Sequence, residues 1–307
     1  MSPLQPAPVV GLVGVGNMGG AMARRLLHQG FVVHVHDIDL AKTEALKALG
    51  AIVHGSAASI SEQARTVIIC VVDHTQVDQL LDPKCAPSWW STLQSGDTVF
   101  LCPTLAPDFV ESVASRLRAH GVSTVDAPMS GGPVRAEAGT MSLMVACEEA
   151  VFVSQEKLLN ALSSHVFRVG TRIGDGARTK LVNNLLAGIN LVGAAEVIAL
   201  SEHLGLSLDT TLSVIEQSSG QSWIGSERMR RALVNDFAPR AHMTLLTKDT
   251  GLAVDAAKTA GFHGVLGPLA AQAFAKACQA GLADADDAAM LQWVRQQQKQ
   301  ANPTIVG

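Results

Sequence analysis

Between positions 9 and 169 the chain alternates short, largely apolar runs with glycine-bounded stretches of helical composition; after Lys180 the short runs disappear. The runs at 9–13, 31–36, 66–72, 99–101, 123–126, 141–146 and 166–169 are rich in Val, Ile and Leu. A strand with one wet face would alternate apolar and polar positions, so these runs read as strands covered on both sides. Helical patterns at 21–28, 107–120 and 150–162 separate them. Pro107 suits a first helical position, where its missing N–H costs nothing. Apolar strands with helices between them specify a parallel sheet, with ligands collecting at the carboxyl ends of the strands.

Beyond Lys180 the apolar spacing is helical. The longest such segment, about 176–203, would make a helix roughly 40 Å long at ~1.5 Å per residue. Further helices are predicted at 207–217, 222–234, 247–260, 268–279 and 286–298, with breaks at Gly205, Gly220, Pro239, Gly261 and Gly281. The expected architecture is α/β, with a doubly wound parallel sheet over residues 1–172. An all-α domain, 173–307, follows, opened by a long interdomain helix. The stretch 185–200 is apolar enough to raise the question of a membrane span. Asn190 and Glu196 interrupt it, and it falls short of the ~20 residues a span needs. A buried core helix is the expectation, with no membrane partner.

A chain of 307 residues, 48% hydrophobic and 16% charged, holds two globular domains with ample core. Net charge is −4 with no basic patch, which excludes nucleic acid and anionic lipid as natural partners. Cys70, Cys85, Cys102, Cys147 and Cys278 are scattered, without a CxxC pair. That usage suits a reducing cytosol and a cytoplasmic protein. The N-terminal MSPLQPAP has neither a basic nor an apolar region of the kind a signal peptide carries. Ten histidines include none with metal-ligand spacing beside acids. His34 and His36, alternating on one strand, are read as packing, and no metal site is expected.

The chemistry begins at Gly14-Val15-Gly16-Asn17-Met18-Gly19, between the first strand and the first helix, with Asp37 at the tip of the second strand. This GxGxxG setting marks a Rossmann-type dinucleotide site. Gly14 permits the tight turn, Gly16 lets backbone approach a pyrophosphate, and Gly19 allows close helix packing. The helix N-terminus presents free N–H groups to the phosphates. Asp37 can accept from both adenosine ribose hydroxyls. A 2′-phosphate would meet Asp37 and Asp39 with no arginine nearby, which favours NAD over NADP. Val72, Asp73 and Thr104 stand at later strand ends, as further cofactor contacts or as ordinary loop residues. Trp89 and Trp90 need no role beyond packing. Ser130-Gly131-Gly132 ends a strand and forms either a backbone nest for a small carboxylate or a plain turn. Lys180, Asn183 and Asn184 share one face of the long helix, as a site or as a solvated helix start. Lys248, expected at the start of a helix, is either functional or a surface charge.

Together these motifs resemble the β-hydroxyacid dehydrogenase family, and the resemblance covers nearly the whole chain. The cofactor motif stands as GLVGVGNMGGAMA, the substrate motif as DAPMSGGPVRAEAGT, the catalytic motif as GDGARTKLVNN and a fourth motif as KDTGLA. The resemblance implies that Ser130, Gly131 and Gly132 hold a substrate carboxylate. Lys180 would be the catalytic general acid/base, its pKa lowered by burial. Asn184 would orient the reacting hydroxyl, and Lys248 would approach the cofactor. Two positions depart from the family pattern. Pro103-Thr104 keeps only the threonine of a usual Ser-Thr pair, and Thr250 replaces a commoner leucine, a packing change.

The stretch SSGQSWIGSERMRR is most similar to the L-threonate dehydrogenase branch, which implies a sugar acid whose far end meets Ser222, Trp223 and Arg228. Tartronate semialdehyde reductase and 3-hydroxyisobutyrate dehydrogenase are alternatives within the family. A dinucleotide-binding sensor or scaffold is the alternative outside enzymology. The apolar long helix predicts a homodimer or homotetramer.

Overall fold

The computed structural model describes residues 6–84 and 88–301, so Cys85 lies outside the described residues. Two compact units divide the chain, Met1–Lys180 and Leu181–Gly307. The division falls after Lys180 rather than after Arg172. The opening turns of the long helix belong with the first unit because Asp126 binds their backbone, as described below.

The first unit contains β1 (Val9–Val13), α1 (Asn17–His28), β2 (Val32–His36), α2 (Leu40–Lys47), β3 (Ile52–Val53), α3 (Ala57–Ser61), β4 (Thr66–Ile69), α4 (His74–Leu81), β5 (Thr98–Leu101) and α5 (Pro107–Ala119). It continues with β6 (Ser123–Asp126), β7 (Met129–Ser130), α6 (Gly132–Ala138), β8 (Ser142–Ala146), α7 (Glu149–Leu162) and β9 (His165–Gly170). The sheet order is β3-β2-β1-β4-β5-β6-β8-β7, with β9 beside β8. Strands β1 to β6 pair in parallel, giving the expected doubly wound sheet. The far edge is mixed: β8 runs antiparallel to β6 and β7, and parallel to β9.

In β1, β2, β4, β5, β6 and β8 the apolar runs are covered on both faces, whereas the run at 166–169 forms β9, an edge strand with Phe167 exposed. Ile68 and Phe100 enter one core with Leu12, Met22 and Leu26, while Val67, Ile69, Val99 and Leu101 enter the other with Val77, Val113 and Leu117. The strand predicted to reach Val72 stops at Ile69, leaving Val72 and Asp73 in the turn before α4. His34 is buried, its Nδ1 2.8 Å from Nε2 of His54. Burial, then the neighbouring His54, lowers its pKa. Among the described residues no group of His, Cys, Asp and Glu is arranged to hold a metal ion.

Helix α8 (Asp175–His203) begins in the first unit and continues through the second, where α9 (Leu208–Glu216), α10 (Trp223–Leu233), α11 (Met243–Thr259), α12 (Leu266–Ala277) and α13 (Met290–Ala301) follow. Gly205, Gly261 and Gly281 take positive φ where helices end. The last helix was expected from position 286. Instead Asp286 caps a short 3₁₀ turn at Asp287–Ala289, and α13 starts after it. Leu191, Ala195 and Ile198 of α8 join Met229, Met243, Phe274 and Leu291 in the core of this unit. The stretch 185–200, expected as a core helix too apolar for one domain to cover fully, is only partly buried within α8. Only 39% of its most apolar 18-residue window is buried, and Val182, Leu186, Val197 and Leu200 are exposed.

Candidate active site

The glycine turn between β1 and α1 has the shape a dinucleotide requires. Gly14 sits at φ 87° with its N–H donated to the His36 carbonyl at 2.9 Å. A Cβ on Gly14 would lie 2.6 Å from the Cys70 carbonyl oxygen, and one on Gly19 only 2.0 Å from the Gly14 carbonyl oxygen. Gly16 differs, because a Cβ there meets nothing within 4 Å. Two glycines are thus demanded by the chain's own packing, while the third faces open space that backbone and phosphate can share. Helix α1 starts with no side-chain cap and no acid in its first turn, so its N–H groups and positive dipole end are available to an anion.

Asp37 is half-buried beside this turn. Its Oδ2 accepts the Val15 N–H at 2.7 Å and its Oδ1 the Asp39 N–H at 2.9 Å. A carboxylate has further lone pairs, so it can still receive ribose hydroxyls. Asp39 caps α2 and pairs with Lys42 at 3.3 Å, which places a cation at this rim. Asp73 is the N-cap of α4, accepting from Gln76 N–H at 3.0 Å, and Val72 is 53% exposed. Thr104 is half-buried in the turn between β5 and α5. Burial pushes the Cys70 thiol up to about 12 and raises Cys102 as well. Both are therefore thiols, not thiolate nucleophiles, at neutral pH.

At the far side of the sheet Ser130 pairs with Ser142 at the end of β7. Gly131 and Gly132 then take φ 124° and 73°, conformations that residues with side chains rarely adopt, and lead into α6. The Ser-Gly-Gly turn therefore exposes backbone that no Cβ shields; at Gly132 the space is open.

Asp126, at the end of β6, holds the start of α8. Its Oδ2 accepts from Gly174 N–H at 2.9 Å and Ala177 N–H at 3.1 Å. Burial pushes this carboxyl up to about 6, with the helix N–H groups of Ala177, Gly174 and Gly176 pulling it back. Gly176 is required there, since a Cβ would lie 2.8 Å from both Asp126 Cγ and the Met144 carbonyl oxygen. This anchor sets the first turns of the helix that carries Lys180, which is 7% exposed.

One turn beyond Lys180, within the second unit, Asn184 is 8% exposed. Its Nδ2 donates to Asp249 Oδ2 at 2.6 Å, and its Oδ1 accepts from Asn183 Nδ2 at 3.0 Å. Lys248 Nζ lies 2.8 Å from the other oxygen of Asp249. Asn183 was expected to share the inward face with Lys180 and Asn184; it is exposed and only its amide reaches back. Lys248 is in the second turn of α11 rather than at its start. Asp249 carries no signal in the sequence; only its depth and its partner 65 residues away reveal it.

Thr250 is fully buried, its Oγ1 bonded to the Leu246 carbonyl and its methyl 2.6 Å from where Gly188 would carry a Cβ. The threonine and the glycine let α8 and α11 approach closely. Of the three residues proposed for the far end of a sugar acid, Arg228 is taken up structurally, because Asp287 and Glu227 bind its guanidinium. Ser222 caps α10 through its Oγ, accepting the Gly225 N–H at 3.1 Å. Trp223 remains exposed.

Residues 9–170 match the family described as the NAD binding domain of 6-phosphogluconate dehydrogenase. Residues 174–294 match that described as NAD-binding of NADP-dependent 3-hydroxyisobutyrate dehydrogenase. An L-threonate dehydrogenase of Cupriavidus necator is 32% identical, over 92% of this chain and 94% of that protein. The mitochondrial 3-hydroxyisobutyrate dehydrogenase of Drosophila melanogaster is 31% identical, over 93% and 89%. A crystal structure of 3-hydroxyisobutyrate dehydrogenase from Salmonella typhimurium superposes with a TM-score of 0.86 at 31% identity, over 93% of this chain and 99% of that one.

Proposed function

The chain belongs to the β-hydroxyacid dehydrogenase family of NAD(P)-dependent oxidoreductases, and from that premise we propose that it oxidises a sugar acid such as L-threonate to the 2-oxo acid with NAD. The likeness to L-threonate dehydrogenases over more than nine-tenths of both chains supports the substrate. Asp37 at the tip of β2 supports NAD, because its carboxylate suits two ribose hydroxyls and repels a 2′-phosphate.

The observation that carries the mechanism is a pair of polar side chains, Lys180 and Asn184, buried one helical turn apart. When bound, the nicotinamide supplies the two-electron acceptor. The Ser130–Gly132 turn binds the carboxylate, and Asn184 orients the reacting hydroxyl. Lys180, as the neutral amine, takes the hydroxyl proton during oxidation and returns it during reduction. Asn184 is itself held by Asp249, so its amide meets the substrate in one orientation. Lys248, paired to Asp249, is the residue of this unit we assign to the cofactor.

The exposed apolar row on α8 supports assembly into a homodimer or homotetramer through the helical unit. A spectrophotometric panel tests the whole reading. It offers NAD or NADP with L-threonate, D-threonate and 3-hydroxyisobutyrate, and the reduced cofactors with tartronate semialdehyde. The highest kcat/KM is expected for L-threonate with NAD. A higher value for 3-hydroxyisobutyrate, tartronate semialdehyde or NADP overturns the corresponding part.

A further inference from the structure

Arg135 has no part in the mechanism above, yet it lies against the turn assigned to the carboxylate. Its side chain folds back from α6 over Gly131: a Cβ on that glycine would be 3.1 Å from Arg135 Cδ, 3.2 Å from its Cβ and 3.3 Å from Nε. Nε donates to the Thr140 carbonyl at 2.9 Å. That bond holds the guanidinium by one of its five N–H donors and leaves four to be matched. The residue is half-buried, and among the described residues it pairs with no carboxylate. Arg24 and Arg116 of the same unit each pair with one, and Arg178 with two. A guanidinium offers donors only, in a planar fork that fits a carboxylate. The adjoining backbone at Gly132 has open space where such a group would sit.

We propose that Arg135 is a specificity-determining residue whose guanidinium binds the substrate carboxylate together with the Ser130–Gly132 turn. The enzyme then takes ionised hydroxy acids and rejects their esters and the corresponding alcohols. The proposal rests on the reading of that turn as the carboxylate site. It extends that reading by supplying a full positive charge where the turn supplies only backbone dipoles and one hydroxyl.

Two variants separate binding from scaffolding. Arg135→Gln can still hydrogen-bond the Thr140 carbonyl but carries no charge; Arg135→Lys keeps the charge and loses the fork. In turnover of the preferred hydroxy acid, Arg135→Gln is expected to raise KM about 10- to 100-fold, the range for losing charge-assisted hydrogen bonds. The fall in kcat should be much smaller, and Arg135→Lys should recover most of the loss in KM. Calorimetric titration of the NAD-loaded enzyme with isobutyrate, which has no hydroxyl to oxidise, should show the same order of affinities. Wild-type affinity in Arg135→Gln overturns the proposal, as does a variant series in which Gln outperforms Lys. If no hydroxy acid is turned over, the dehydrogenase substrate reading fails, while isobutyrate binding still reports on Arg135. No binding of isobutyrate to the wild type overturns the carboxylate site and the role of Arg135 with it.

Discussion

Asn184 and Asp249 are joined by a 2.6 Å hydrogen bond from Nδ2 to Oδ2, and both side chains are more than nine-tenths buried. A carboxylate withdrawn from water needs compensation, and Lys248 adds an ion pair to its other oxygen at 2.8 Å. With Asn183 on its Oδ1, Asn184 has one amide orientation that satisfies every neighbour. Asp249→Ala removes that constraint and leaves a buried donor unmatched, a loss of ~1–3 kcal/mol in stability. The expected result is lower stability in urea unfolding together with a fall in kcat/KM of about 10-fold or more. Unchanged kcat/KM in a destabilised variant would confine Asp249 to structure.

Gly16 and Gly19 should fail in opposite ways. At Gly19 an added methyl strikes backbone, the Gly14 carbonyl oxygen at 2.0 Å, which cannot step aside. Gly19→Ala is therefore expected to destabilise the apoprotein by ~1–3 kcal/mol or more. Gly16 has an ordinary negative φ of −62° and empty surroundings. Gly16→Ala should keep apoprotein stability within about 0.5 kcal/mol while weakening NAD binding, measured by fluorescence titration. Equal effects of both variants on apoprotein stability would contradict this.

Asp126 gives the stability a pH dependence of definite sign. Burial raises its folded pKa to about 6, above the ordinary 3.8. Between those values the folded chain holds a proton that the unfolded chain has released, so this group's contribution falls as pH rises through the window. The full difference is about 3 kcal/mol. Urea unfolding of wild type and Asp126→Asn from pH 4 to 7 checks it. The wild-type advantage should shrink on going up the range, and an advantage that grows would contradict the assignment. The same helix start contains Asp175, whose carboxyl is lowered by Arg172 and titrates below this window.

Val182, Leu186, Val197 and Leu200 recur at three-, four- and eleven-residue spacings along α8 and are exposed, with Gly193 in open space among them. Those spacings make one helix face, of the kind a second copy covers. Light scattering at micromolar concentration should give a dimer or tetramer, and Leu186→Glu should shift it to smaller species. A monomeric wild type would contradict the assembly.

The sheet and the helical half were legible because their apolar runs are long and their glycines fall at ends. Short elements were not. Helices α2 and α3 rest on the caps Asp39 and Ser56 rather than on periodicity, α4 is only eight residues long, and β3 and β7 have two residues each. The family motifs pointed to Lys180, Asn184 and the Ser130 turn, but not to what holds them. Asp126 reaches α8 across 51 residues and Asp249 reaches Asn184 across 65, distances over which spacing carries no signal. The partner of Arg228 is hidden for the same reason, since Asp287, which binds its guanidinium, lies 59 residues on.

The central claim is that Lys180, 7% exposed one turn before Asn184, transfers the substrate proton. Single-turnover and steady-state oxidation of the preferred hydroxy acid by Lys180→Ala test it directly, with NAD binding followed in parallel. A fall in kcat of about 100-fold or more, at wild-type affinity for NAD, is the predicted result. Near-wild-type kcat in Lys180→Ala would contradict the mechanism.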